Sequence, residues 1–436
     1  MNRDLSQNAG AISPRLNPRV VGLEPSATVA INDLSNQLIH SGRDVVKLGL
    51  GQSPFPVPAI VQQALRDNAH QKDYLPVQGL RALREVVARH HRRTFRIESD
   101  TDDVLIGPGS KELMFLAQLV YEGELVIPSP CWVSYAPQAR IIGRQIRQIH
   151  TSRATRYELT AAALREVGLQ DPDQSRMVVL NYPSNPTGQT FREDQLRELA
   201  SAAREFRMLV LSDEIYGKLD HDGDHQSIVP YYPQGTIFSG GLSKWCGAGG
   251  WRLGLFVFPK NLRWLLRAMA SVASETFTST SAPIQYAAVV AFEESEAIEE
   301  YLGQCRRILK GLDHYLVNRL RASQVEVFSG AGGFYLFPDF EHYRDRLAAI
   351  GVTTSPDLCR ELLDRTNVAV LPGAAFGRDE RELTARLAYV DFDGHQALTA
   401  LGNGSDDSQV DQAFLKQHCP RIIDGCERIC DWLESL

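Results

Sequence analysis

Short apolar runs, too brief for helices, recur along the first two thirds of the chain: Val104-Leu105-Ile106, Leu125-Val126-Ile127, Met177 to Asn181, Met208 to Leu211, Thr236 to Ser239 and Leu253 to Phe258. Between several of them the apolar positions fall three or four apart, as in Lys111 to Tyr121 and Glu193 to Phe206, which predicts amphipathic helices. This alternation predicts an α/β fold whose mostly parallel sheet is covered by helices on both faces. Beyond about residue 300 the pattern changes to long helical stretches, Glu299 to Leu320 and Pro356 to Arg365, interleaved with a glycine-rich strand, Gly332 to Leu336. The expected organisation is a large domain over 49–300 and a smaller α+β domain over 301–436, to which an N-terminal segment, 1–48, contributes. The polar stretch Gly402 to Ser408 reads as a solvated loop before the last helix.

Composition narrows the function classes. A formal charge of −7 leaves no general basic excess, so the electrostatic footprint of a nucleic-acid binder is missing. The local cluster His90-His91-Arg92-Arg93 reads as a solvated helix end. Seven cysteines, without CxxC or CxxH spacing, argue against a disulfide framework and a zinc site, and read as buried thiols in a reducing compartment. No metal is expected. The N-terminal stretch lacks the apolar core of a signal peptide, and no run of about 18 apolar residues appears, so a cytoplasmic location without membrane contact is expected.

In parallel sheets covered on both faces, ligands bind beyond the carboxyl ends of the strands. The unusual residues of this chain fall there: GlyProGlySer after the first run, ProSerProCysTrp after the second, AsnProThrGly after the third and AspGluIleTyr after the fourth. The stretch SGGLSKWCGAGGWRLG, residues 239–254, places a lysine after a strand-like run and an arginine eight residues later, among glycines that allow close backbone approach to a ligand. Such an arginine suits a phosphate, which it can meet with two parallel hydrogen bonds. Taken singly these motifs are weak, and their order and spacing carry the weight.

That order, NPTG, then D-E-x-Y, then S-K with its arginine, separated by 28 residues from Asn185 to Asp213 and 31 from Asp213 to Lys244, resembles the class I (fold-type I) pyridoxal-phosphate aminotransferases from about Gly49 to Gly394. The resemblance implies a large cofactor-binding domain, a smaller domain and the transfer of an amino group between an L-amino acid and a 2-oxo acid. Lys244 then matches the lysine that bonds to the cofactor and moves a proton at the substrate Cα, and Asp213 the carboxylate facing the pyridine nitrogen. Asn185 and Tyr216 match the donors to the cofactor's phenolic oxygen. Arg252 and the helix start Gly109-Ser110-Lys111 match the phosphate site, and Trp132 the aromatic stacked on the pyridine. Arg386, in TARLAYVDFDG, matches the clamp on the substrate α-carboxylate, and Gly51 a further substrate contact. Tyr74 matches a tyrosine that reaches the phosphate of the neighbouring subunit, which implies a homodimer with shared sites.

Departures bear on the substrate. Gly241 stands where many relatives carry a phosphate-contacting serine, so that hydroxyl contact is expected to be lost or to be replaced by Ser243 or Ser239. Phe277 stands where aspartate-type members place an arginine for the substrate's side-chain carboxylate, which leads to the expectation of an aromatic or apolar donor. The same electron sink also serves decarboxylation, β- or γ-elimination, cyclopropane formation and oxidation, which differ in the Cα bond that lies perpendicular to the ring. A regulator that only senses the cofactor is the remaining alternative, although the segment before Gly49 is short and little basic for DNA binding.

Overall fold

A computed structural model describes residues 15–402 and 410–436. The expected polar loop from Gly402 to Ser408 therefore lies, beyond its first residue, outside the described residues. Seven strands form the central sheet, in the order Val104–Gly107, Gly254–Val257, Thr236–Gly241, Leu209–Asp213, Arg176–Asn181, Glu124–Ser129 and Ile146–His150. All run the same way except Gly254–Val257, which is antiparallel to both neighbours.

Alternate residues of the inner strands enter separate cores. Met177, Val179, Leu209 and Leu211 pack with the helices Ser110–Val120 and Arg263–Ser274, while Val178, Leu180 and Val210 pack with Ala161–Gln170 and Glu193–Glu205. Burial on both faces explains why these strands read as continuous apolar runs. The edge strand Ile146–His150 is different: its sequence IRQIH buries only Ile149 fully, and it carries too little apolar signal to be expected.

The C-terminal part is built on the 27-residue helix Glu296–Ala322 and a three-stranded antiparallel sheet, Leu371–Pro372, Ala385–Ala388 and Tyr335–Leu336. Val46–Lys47 pairs in parallel with Val368–Ala369, so the N-terminal segment is tied to this part. The strand expected over Gly332 to Leu336 is confined to Tyr335–Leu336. Gly333 instead takes a positive φ of 70° and its amide donates to Leu219 O at 3.0 Å, turning the chain against Tyr216.

The basic cluster also departs from expectation. Arg92 and Arg93 are exposed, but His91 is buried, its ring edge-on to Phe95 and Phe238 at 4.8 and 5.4 Å. Positions 84, 87, 88 and 91 fall on one face of the helix Arg81–Phe95, and that face is the buried one. All seven cysteines are buried and unpaired. Among the described residues no helix is long and apolar enough to cross a membrane.

The reversed strand fixes the binding end of the sheet. Gly254 lies opposite both Gly107 and Gly241, and a Cβ there would overlap the Ser110 amide. Replacing Gly254 by alanine is therefore expected to cost about 1–3 kcal/mol of stability through overpacking. A urea midpoint equal to the parent's would contradict this.

Candidate active site

The carboxyl ends of the strands, the helix Ala27–His40 and the C-terminal sheet enclose a cleft of about 340 Å³. Sheet register sets its floor: Asn181, Asp213 and Ser239 sit side by side at the ends of adjacent strands. Gly51, Ser110, Lys111, Trp132, Asn185 and Asp213 line the cleft, as do Tyr216, Ser243, Lys244, Arg252 and Arg386.

Asp213 is 3% exposed. One carboxylate oxygen accepts from Tyr135 Oη at 2.6 Å, while the other, Oδ1, is buried without a partner among the described residues. Burial raises this carboxyl to about 6, against the lowering effect of the Tyr135 hydrogen bond. Asn181 Nδ2 donates to Asp213 O at 2.9 Å, and its Oδ1 accepts from the Asn185 amide at 2.8 Å, so the NPTG turn is bonded to the strand end that carries the acid.

Lys244 Nζ donates to Gly51 O at 2.6 Å. Burial, and then the charge of Arg386, lowers its amine to about 8. Tyr216 Oη and Tyr335 Oη lie 2.8 Å apart, so a tyrosine of the C-terminal sheet closes over the floor. Arg386 is fully buried between the rings of Tyr335 and Phe376, at 4.8 and 5.1 Å. Its Nη1 donates to Asn185 Oδ1 at 3.1 Å and its Nη2 to Gly49 O, while Nε has no partner among the described residues.

A second end of the cleft is built for an anion. Ser110 and Lys111 open the helix Ser110–Val120, where backbone N–H groups have no intrahelical acceptor. Arg252 reaches them from across the hairpin, donating to Gly249 O and Pro108 O at 3.0 and 3.3 Å. Gly109, at φ 95°, lies beneath that guanidinium, which any Cβ would strike. Lys111 Nζ stands 5.2 Å from the Trp132 ring centre with no carboxylate in ion-pair reach among the described residues, and burial lowers its amine.

The family model for aminotransferases of class I and II matches residues 43–391. The chain belongs to that family. Over 382 residues this aminotransferase is 31% identical to the aspartate aminotransferase of Bacillus sp. (strain YM-2), covering 85% of this chain and 93% of the relative. It is 31% identical to the aspartate/prephenate aminotransferase of Thermus thermophilus, covering 86% and 94%. A solved structure of the Thermus thermophilus aspartate aminotransferase with maleate superimposes with a TM-score of 0.82 at 27% identity, covering 96% of this chain and 100% of that one.

Enzymes of this family are pyridoxal-phosphate-dependent, and the residues of this aminotransferase fit that cofactor. The orphaned Asp213 Oδ1 is an acceptor for a protonated ring nitrogen, whose positive charge would offset the burial that now raises the carboxyl. The helix start at Ser110 and Arg252 suit a phosphate. Lys244 is an amine already lowered toward its neutral, nucleophilic form.

Three expected residues lie off the cleft wall of this aminotransferase. Gly109 supports Arg252 from behind, Tyr74 is 89% exposed, and Phe277 packs beside the helix Arg263–Ser274. Of the hydroxyls expected to stand in at Gly241, Ser243 lines the cleft, whereas Ser239 Oγ is buried without a partner. Tyr135, Asn181, Tyr335, Thr28 and Val29 were not anticipated. Tyr135 lies three residues after Trp132, and Asn181 ends an apolar run, which were the available signals.

The lowered amine is testable in cofactor-free protein. A depressed lysine pKa makes the neutral amine available at lower pH, so acetylation of Lys244 is expected to rise with pH to half its plateau near pH 8. Peptide mass spectrometry across a pH series reads this directly. A midpoint at the ordinary lysine value of 10.5 would remove the electrostatic argument.

Proposed function

We propose that this aminotransferase takes the amino group from an L-amino acid with a carboxylate side chain and passes it to a 2-oxo acid. The observation that carries this reading is the charge balance of the cleft. Lys111, Lys244, Arg252 and Arg386 line it, and Asp213 is the one acid among the described lining residues.

When bound, pyridoxal phosphate supplies the aldehyde that takes up the amino group and the ring that accepts electrons from the substrate Cα bond. Asp213 would keep the ring nitrogen protonated through Oδ1, and Trp132 would cover the ring. Asn185 and Tyr216 would donate hydrogen bonds to the phenolic oxygen. Ser110, Lys111, Ser243 and Arg252 would hold the phosphate, the first two through backbone amides. Lys244 would hold the cofactor's aldehyde carbon, and its amine, lowered toward the neutral form, would move the proton at the substrate Cα. Arg386 binds the α-carboxylate with the donors that its bonds to Asn185 and Gly49 leave free, and Gly51 flanks the substrate.

Lys111 carries the specificity argument. Among the described residues its ammonium is the cleft cation with no carboxylate partner and no hydrogen bond, so it suits a side-chain carboxylate, and the names of relatives called aspartate aminotransferases support the same donor class. The apolar or aromatic donor expected from Phe277 is the second reading, favoured only by the absence of an arginine there. Tyr74, exposed in a single chain, supports a homodimer in which it completes the phosphate site of a second copy.

Comparing kcat/KM for aspartate, phenylalanine and leucine is expected to rank aspartate first. K111M is expected to lose about ten- to a hundredfold toward aspartate alone, since an unpaired carboxylate in a desolvated site is costly. R386A is expected to weaken all three donors alike. A parent enzyme that prefers phenylalanine or leucine, with aspartate rescued by F277R, would establish the second reading instead. For the shared site, mixing inactive Y74A and R386A proteins is expected to restore part of the activity in mixed dimers. Proven subunit exchange without recovery would mean self-contained sites.

A further inference from the structure

Behind the Asp213–Tyr216 turn, on the side away from the cleft, lies a second cavity of about 300 Å³, a size in the range of small-molecule sites. It opens between the helix Arg81–Phe95, the segment from Gly217 to His225 and the helix Glu296–Ala322. Its inner wall is apolar and partly aromatic, formed by Phe238, Trp245, Leu255, Val257 and Phe292. Ile215 belongs to both cavities.

Some polar atoms in this wall have no partner among the described residues. Both ring nitrogens of His91, a residue 5% exposed, and Nδ1 of His225 are buried and unbonded. Buried polar atoms left this way are destabilising, so an arrangement that keeps several in one cavity calls for something that bonds them. Burial pushes the His91 imidazole down to about 3, so near neutral pH it has one N–H to donate and one nitrogen to accept.

Charge at the mouth gives the ligand its sign. Lys218 stands 4.6 Å from the Trp245 ring centre, and Arg306 spends its Nε on Lys218 O at 2.9 Å. Among the described residues neither has a carboxylate within ion-pair reach. The buried acid on this wall, Glu214, is already satisfied: its Oε1 accepts from Tyr182, Ser212 and Ser227, and its Oε2 from His225 Nε2 at 2.7 Å. Arg93 is paired with Glu294, and Glu299 is an exposed acid at the rim.

We propose that this cavity is a second ligand site, which takes an aromatic monocarboxylate with its ring against Trp245 and Phe238 and its carboxylate between Lys218 and Arg306. Flat apolar walls favour a ring, and two unpaired cations at one end favour a carboxylate there. His91 lines the same cavity and has one N–H to offer the carboxylate, whereas His225, whose Nε2 proton goes to Glu214, presents only an acceptor nitrogen.

Isothermal titration of the holoenzyme with 3-phenylpropionate tests it. Saturable binding is expected that K218M/R306M weakens about tenfold or more, as loss of charge-assisted hydrogen bonds requires. T94W, which plugs the rim from an exposed position, is expected to block it, and R386A, altered only in the cleft, to retain it. The parent's kcat at saturating donor reports that K218M/R306M and T94W are folded, and T94W decides alone if the double variant is not. Heat that R386A abolishes and T94W leaves intact would put the probe in the cleft and overturn the proposal. No saturable heat with the parent would leave water as the partner of His91 and overturn it equally.

Discussion

A carboxylate removed from water with only one of its oxygens bonded is the constraint around which this molecule is arranged. Asp213 ends a strand buried on both faces, and Tyr135 meets Oδ2 while Oδ1 has no hydrogen-bond partner among the described residues. Such an acid is tolerable only where its neighbours supply positive charge or leave room for a cation. Lys244 supplies part of that charge, yet it and the neighbouring Arg386 are themselves buried and have their own pKa values lowered. Lys244 is lowered by Arg386 and raised by Asp213, and the cleft is left with an excess of positive charge that suits a bound anion.

The support for this arrangement is a set of hydrogen bonds with almost no slack. Asn181 links the Asp213 carbonyl to the Asn185 amide, Asn185 receives Arg386, and Arg386 returns to Gly49 on the opposite wall. Below the turn, Glu214 gathers three hydroxyls and an imidazole, which anchors the segment from Asp213 to Tyr216 from behind. Displacing one member leaves a buried polar atom elsewhere, so these side chains hold their positions collectively.

Much of this was legible in the sequence, and what was not has physical reasons. Strands buried on both faces gave apolar runs that alternate with helices, and residues such as Asn185, Asp213, Lys244 and Arg386 stood in an order and spacing that few folds share. Ile146–His150 escaped notice because an edge strand with one fully buried residue has no such run. Tyr135 and Tyr335 escaped because a tyrosine that serves an acid or a second tyrosine looks like any core aromatic until the chain is folded. His91 is the instructive case, since the helical period that buries it was present in Arg84, Val87 and Ala88, but four consecutive basic side chains read as surface.

The reversed strand has an evolutionary corollary. Because Thr236–Gly241 and Gly254–Val257 are adjacent and antiparallel, with Gly241 opposite Gly254, the connection between them is a closed loop whose ends are pinned by the sheet. Lys244 and Arg252 both ride on that loop. Elsewhere in the chain a loop can lengthen into solvent, but here an inserted residue would shift the amine relative to the guanidinium. Natural length variation should therefore be excluded from this connection and concentrated in the surface loops, leaving a molecular ruler whose gauge is the span of the ligand it was built to hold.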